Sequence, residues 1–244
     1  MIVQSLQTSG QLTVDQLTQL FGVSAITIRR DLVELETHGA LRRVRGGASR
    51  LVKRGQQLSY RLLADEDRER KTYLAAAAAA LVGDYETVII DNGTTCLAVA
   101  HELAGRPITA MPLSLHAAVV LGSTPGPRVV VPGGPVEPDS LALLSTTAVD
   151  AVRAIRADVV VLGACAVSAA RGLTSDLYED AVVKRAAIGS SDRRILVTVA
   201  DKLTATSSFR FAEPADLTHL VTTDDAPTDL LALFTDHGVE VTLV

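Results

Sequence analysis

The sequence predicts an α/β chain in two unequal parts: a small helical module over residues 1–50 and a larger α/β domain over residues 71–244, joined by a connection over 51–70. Three observations predict it. The 244 residues suffice for one large domain or for a small one plus a medium one. From Thr87 onward, short runs of Val, Ile and Leu alternate with helix-patterned stretches, the mark of a mostly parallel sheet covered on both faces. Charge divides the chain in the same place. Residues 1–54 carry eight Lys and Arg against four acids, a net of +4, whereas the remainder carries 15 bases against 24 acids, a net of −9. A basic module on an acidic body directs a polyanion to the first part alone.

Composition excludes several classes. Nearly half of the residues are apolar and only 3% are aromatic, so the core is built from Ala, Val, Leu and Ile. The two cysteines, Cys96 and Cys165, form no disulfide or metal pattern, and a reducing, cytoplasmic setting is expected. The five histidines show no ligand spacing, so no metal is expected; no cofactor is indicated either. No apolar run reaches the length of a membrane span, and Met1-Ile2-Val3-Gln4 lacks the charge and the apolar run of a signal peptide.

In chain order, Ile2–Thr8 suits a short first helix ended by Ser9-Gly10. Thr13 caps a second helix with Val14, Leu17, Leu20 and Phe21 on its apolar face. After the turn Gly22-Val23-Ser24, Ser24 caps a third helix in which Ala25, Ile28, Leu32 and Leu35 form one buried stripe. That leaves Ser24, Ile26, Thr27 and Arg30 near the helix start, facing outward, with Arg29 beside them. A stop at Gly39 and the basic run Leu41-Arg42-Arg43-Val44-Arg45-Gly46-Gly47 complete the layout of a winged helix-turn-helix. Such a recognition helix reads base edges with its N-terminal residues. Arg30 suits guanine, Ser24 and Thr27 suit phosphates or thymine methyls, and Arg29 suits a phosphate or an acid. Arg42, Arg43 and Arg45 lie where a wing meets the DNA backbone or minor groove.

The connection Ser49–Arg70 is polar, is interrupted at Gly55, and reads as a tether with part of Ser59–Arg70 helical. Lys71–Val82 is an alanine-rich helix. Strands are expected at Thr87–Asp91, Ile108–Met111, Arg128–Val131, Asp158–Leu162, Arg194–Val199, Leu217–Thr222 and Val239–Val244. Helices are expected at Thr94–Ala104, Leu115–Leu121, Thr146–Ile155, Tyr178–Ser190 and Thr228–Asp236.

In a parallel sheet, ligands sit at the carboxyl ends of the strands. The loop Asp91-Asn92-Gly93-Thr94-Thr95 follows one strand and opens a helix, so its free N–H groups and hydroxyls suit an anion; Gly-Thr-Thr is equally a turn and cap. It is neither a Walker loop nor a GxGxxG fingerprint, so nucleotides are not indicated. Pro132-Gly133-Gly134 brings a second backbone loop to the pocket or is a plain turn. Asp201-Lys202 offers a carboxylate for hydroxyls and an ammonium for phosphate, or is a surface ion pair. Lys184 and Arg185 read as the solvated side of their helix.

The run VSAITIRRDLVELETHGALRRVRGGA, with its Thr-Ile-Arg-Arg-Asp-Leu core and closing Gly-Gly-Ala, resembles the DeoR family of bacterial transcription regulators. The larger domain resembles that family's sugar-phosphate sensor, which is similar in fold to ribose-5-phosphate isomerase. The matching pieces are DNGTT, Gly133-Gly134, Gly172-Leu173-Thr174, Ala181 to Arg185, and Lys202. The chain departs from the family pattern in five places, one of them a Lys202 loop shorter than usual. The first helix is short. Arg45 stands where His is usual. Pro112-Leu113-Ser114-Leu115 replaces Thr-Asn-Ser-Leu. Gly163-Ala164-Cys165-Ala166-Val167 replaces an acidic, glycine-bearing segment.

The resemblance implies a DNA-binding repressor of carbohydrate genes, acting as a dimer or tetramer. It also implies that Asp91, Gly93, Thr94, Thr95 and Lys202 line a site for a phosphorylated sugar or related metabolite. The alternative is a sugar-phosphate isomerase with an appended DNA-binding module. Against it, Gly163–Val167 holds no acid where an isomerase would present its carboxylates.

Overall fold

Amphipathic spacing and capping residues build the first elements. The computed structural model describes residues 1–37, 40–50, 60–65, 67–168 and 171–244. The chain divides into two compact units, Met1–Glu66 and Asp67–Val244. The expected stop at Gly39 and the middle of the connection, 51–59, lie outside the described residues.

The first unit runs α1 (Ile2–Ser9), β1 (Gln11–Thr13), α2 (Val14–Phe21), α3 (Ala25–Thr37), β2 (Leu41–Val44), β3 (Gly47–Arg50) and α4 (Tyr60–Asp65). Thr13 and Gln16 close a reciprocal cap on α2: the Thr13 hydroxyl accepts the Gln16 N–H at 3.1 Å, and the Gln16 side chain accepts the Thr13 N–H at 2.8 Å. Gly22, at φ 66°, takes the left-handed conformation that ends α2. The Ser24 hydroxyl then caps α3 by accepting the Thr27 N–H at 3.2 Å.

The small core is Leu6, Val14, Leu17, Ile28, Leu32, Leu41 and Ala48. Leu20, expected inside, is 59% exposed. The buried stripe of α2 passes through Val14, Leu17 and Phe21 at spacings of three and four, which turns Leu20 outward. Strand β1 was not anticipated. It pairs antiparallel with β3, giving a sheet in the order β1-β3-β2. Its approach requires a glycine at position 47, where a Cβ would sit 2.2 Å from the Leu12 carbonyl oxygen.

The second unit runs α5 (Arg68–Ala80), β4 (Thr87–Ile90), α6 (Thr94–Leu103), β5 (Thr109–Pro112), α7 (Leu115–Gly122), β6 (Arg128–Val129), α8 (Thr146–Ala154), β7 (Ala157–Leu162), β8 (Ala166–Ser168), β9 (Gly172–Ser175), α9 (Tyr178–Gly189), β10 (Ser191–Val197), β11 (Phe209–Ala212), β12 (His219–Thr222), α10 (Thr228–Thr235) and β13 (Glu240–Leu243). The main sheet has the order β6-β5-β4-β7-β10-β12-β13, and every pairing in it is parallel. Side chains alternate between two cores. Ile89, Val160 and Leu162 face Val149, Ala181 and Phe234 on one side. Val88, Ile90, Val159 and Val161 face Leu74, Val99 and Leu121 on the other. Burial on both faces is why β4 and β7 read as unbroken apolar runs.

Chain order reverses at β4. The next strands, β5 and β6, extend the sheet to one side, and β7 returns to the other side of β4. The carboxyl ends of β4 and β7 therefore flank the crevice where a doubly wound sheet holds ligands. A second, antiparallel sheet in the order β11-β9-β8 was also unexpected. No helix among the described residues is long and apolar enough to cross a membrane.

Candidate functional site

In the first unit, Ile28 and Leu32 anchor α3 and fix which residues face out. Ile26 is 78% exposed, and Arg29 and Arg30 follow it at spacings of three and four, so the three share one face of the helix. The Ser24 and Thr27 hydroxyls contact each other at 2.9 Å, within the α3 cap. Arg30 makes only a loose approach to Asp31, at 4.0 Å. On the hairpin, Glu36 accepts the Arg43 main-chain N–H at 2.8 Å and lies 3.9 Å from its guanidinium. Arg42 Nε reaches the Ser49 hydroxyl at 3.5 Å. Arg45 is exposed in the two-residue turn, beside Gly46 at φ 80°.

In the second unit, Asp91 sits at the switch point, fully buried where β4 ends. Its Oδ2 accepts the Gly163 N–H, just past β7, at 2.8 Å and binds the Lys184 ammonium. Lys184 comes from α9, is 4% exposed, and lies 3.4 Å from Asp180, one helical turn earlier. Asp180 also accepts the Ser175 hydroxyl at 2.6 Å and the Asn92 amide at 2.6 Å. Burial alone would discharge Lys184; the Asp180 and Asp91 carboxylates outweigh it and hold its pKa above the ordinary lysine value. Burial pushes the Asp91 carboxyl up, against the pull of Lys184 and the Gly163 N–H.

Lys184 thus corrects the sequence expectation: it faces the site, not solvent. The sequence reading gives Asp180 and Ser175 no role; the signal for Asp180 is its spacing of four from Lys184 on α9.

Gly93 stands at the start of α6 with φ −71° and offers no side chain to cap it. In the same unit α7 and α8 are capped by Ser114 and Ser145, whereas α5, α9 and α10, like α6, carry no side-chain cap. Thr95 is buried, and Asn92, Gly93 and Thr94 are half-buried. Lys202 follows β10 in a 3-10 turn, and its charge bears on the Cys96 thiol, which burial pushes up. Asp201 is exposed, and its charge bears on Arg70 instead. Gly133 and Gly134 follow the edge strand β6 at φ 81° and 92°. A Cβ at Gly134 would strike the Ser145 hydroxyl, 2.1 Å away, so that glycine packs against the start of α8.

Comparison with known proteins bears on both units. The DeoR-like helix-turn-helix domain matches residues 1–54, and the DeoR C terminal sensor domain matches residues 66–224. The chain is 30% identical over 241 residues to the HTH-type transcriptional repressor GlcR of Bacillus subtilis, covering 98% of this chain and 93% of that one. It is 31% identical over 232 residues to the glycerol-3-phosphate regulon repressor of Haemophilus influenzae, covering 91% and 87%. Among solved structures, ribose 5-phosphate isomerase A from Methanocaldococcus jannaschii overlaps 57% of this chain and 56% of that one, with 14% identity and a TM-score of 0.42. Both parts, reader and sensor, match in order, and the chain belongs to the DeoR family of helix-turn-helix transcription regulators.

Proposed function

We propose that the protein is a repressor of carbohydrate-metabolism genes whose grip on an operator is switched by a phosphorylated sugar or related metabolite. The observation that carries the DNA-binding half is the outward face of α3, where Ile26, Arg29 and Arg30 stand together over the buried Ile28 and Leu32. In this reading Arg30 pairs with guanine and Ile26 meets a thymine methyl. Ser24, Thr27, Arg29, Arg42, Arg43 and Arg45 hold the phosphate backbone. Residues 1–50 are the reader, 51–70 the connection, and 71–244 the effector-binding and oligomerisation domain. An even-numbered homo-oligomer, a dimer or tetramer, presents paired readers to a two-fold operator in the cytoplasm.

The effector sits beyond β4 and β7. Its phosphate meets the uncapped start of α6 at Gly93, Thr94 and Thr95, with Lys202 as counter-charge. Asp91 and Asn92 form the opposite wall. Gly133, Gly134 and Asp201 take supporting roles in this reading, since Gly134 packs on Ser145 and the charge of Asp201 bears on Arg70. The effector switches DNA binding by binding two conformations or assemblies with unequal affinity.

The test is fluorescence anisotropy with a duplex from the upstream region of the protein's own gene, against a scrambled duplex, with and without phosphorylated sugars. Preference for the upstream duplex, altered by one sugar, is expected; equal binding of both duplexes would remove the reading. The isomerase alternative is disfavoured because Asp91 and Asp180 are tied up by Lys184 and Gly163–Val167 carries no acid. Measurable isomerisation of pentose phosphates would restore it.

A further inference from the structure

The turn that carries Lys202 is tied to the first turn of α5 by a short run of side chains. The Thr223 hydroxyl, just past β12 on a buried residue, accepts the Ala200 N–H at 3.1 Å and donates to Asp225 Oδ1 at 2.6 Å. Asp225 Oδ2 pairs with the Arg70 guanidinium. Ala200 opens the 3-10 turn Ala200–Thr204 that holds Lys202, and Arg70 lies in the first turn of α5. At the far end of α5, the Leu81 carbonyl accepts from Arg193, in the amino-terminal half of β10. The helix therefore runs against the strands, and the chain enters the second unit at the carboxyl edge of the sheet, the edge on which the effector site is proposed. Asp67, where that unit begins, has φ 53° and makes no side-chain cap on α5. Both features are unusual: positive φ is disfavoured for a residue with a side chain, and Asp is among the best caps when its backbone is extended.

We propose that Arg70, Asp225, Thr223 and Ala200 form a latch that transmits occupancy at Lys202 to the connection ahead of α5. This rests on the proposed effector site and goes beyond it by naming the route from that site towards the reader. An anion that draws Lys202 moves a turn of five residues. The Ala200 N–H then leaves the Thr223 hydroxyl, and Asp225 loses the donor that aims it at Arg70. With Arg70 released, Asp67 is free to take the extended backbone of an ordinary cap, its carboxylate accepting the Arg70 N–H. The chain leading into α5 changes direction at that residue. The Arg70 and Asp225 side chains are 37% and 48% exposed, so their pair contributes little to stability and opens at low cost, as a switch requires. Asp201, next to Lys202, adds its charge to the hold on Arg70. Asp67 thus has two arrangements, each held by named partners, and is the two-state element that the effector biases.

Anisotropy titration of the full-length protein with the upstream duplex, with and without glycerol 3-phosphate, ribose 5-phosphate or glucose 6-phosphate, tests this, alongside calorimetric titration of the same compounds. A compound that changes DNA affinity about fivefold or more in the parent should change it less than about twofold in Arg70→Gln and in Thr223→Val, while calorimetry still detects its binding. Arg70→Lys, which keeps the charge, should recover part of the response. A response unaltered by Arg70→Gln and Thr223→Val, or lost only together with binding of the compound, would overturn the inference. If no compound acts on the parent, it is the effector reading that fails, and hydrogen exchange tests the latch by itself. Arg70→Gln should speed exchange of the Ala200 amide, whose partner Thr223 bonds the partner of Arg70. Thr223→Val should speed exchange of the Lys71 amide, which bonds the Asp67 carbonyl at 2.9 Å. Unchanged exchange at either amide would overturn the latch. Arg70 is partly exposed, so Arg70→Gln is expected to fold and decides the outcome alone if Thr223→Val does not.

Discussion

Lys184 shows how one side chain sets a site that the sequence hides. Its ammonium separates two buried carboxylates, and removing one partner of such a group leaves charge with no compensation. Lys184→Met should destabilise the second unit by about 3–5 kcal/mol in urea unfolding. Loss of well under 1 kcal/mol would mean that Asp91 and Asp180 need no cation. The raised lysine pKa means that this stabilisation is whole below the unfolded lysine value of 10.5 and fades only as pH rises through the folded value. Asp225 has the opposite sign. The Thr223 hydroxyl and the Arg70 guanidinium hold its carboxyl below the ordinary 3.8, so its contribution is whole above that pH and lost as pH falls through the folded value. A thermal-stability profile of Asp225→Asn should therefore show a flatter acid limb below pH 3.8 than the parent. Lys184 could not be read from sequence because an adjacent Lys-Arg pair on a helix marks a solvated face when no partner is in view. Its partner Asp91 lies 93 residues away, and only the fold brings them together.

At the scale of elements, the reader was legible because its parts signal locally: a threonine cap, a glycine stop, a serine cap and a stripe at spacings of three and four. The large parallel sheet was legible for the same reason, since buried strands carry continuous Val and Ile runs. Strand β1 and the sheet β11-β9-β8 were not, because segments of three or four residues such as Gln-Leu-Thr and Gly-Leu-Thr-Ser have no room for a period. Gly47 is where such a hidden element can be tested. A methyl there meets the Leu12 carbonyl and Thr13 Cα, so Gly47→Ala should push β1 off β3 at a cost of about 1–3 kcal/mol. DNA binding should fall while the unfolding of the second unit is unchanged; retained DNA affinity would show that β1 is dispensable. Glu36→Gln tests the hairpin from the other side. The amide still accepts the Arg43 N–H, but the guanidinium loses its counter-charge, so affinity for specific and random duplexes should rise together. A fall in both would mean that the pair orders the hairpin for binding.

At the scale of the whole molecule, the charge division makes a claim about salt. The basic part ends by residue 54, and the acidic remainder gives DNA no reason to bind elsewhere. Four arginines of each reader, Arg29, Arg42, Arg43 and Arg45, are assigned to phosphates, so a pair of readers neutralises about eight. Each neutralised phosphate releases a counterion, and the logarithm of affinity should fall against the logarithm of salt with a slope of about −7. Anisotropy titrations from roughly 50 to 200 mM salt measure it over a range in which such a slope changes affinity by about 10⁴. Arg30→Ala separates the two kinds of contact. Its loss should cost roughly 1–3 kcal/mol at one base position, with the slope nearly kept, because a base-edge arginine reads sequence and does not neutralise phosphate. Arg45→Ala should instead flatten the slope by about two, one phosphate for each reader, and weaken specific and random duplexes alike. A slope near −3.5 in the parent protein would mean that a single reader engages the DNA, and the two-fold operator would then have to be abandoned while the recognition helix is kept.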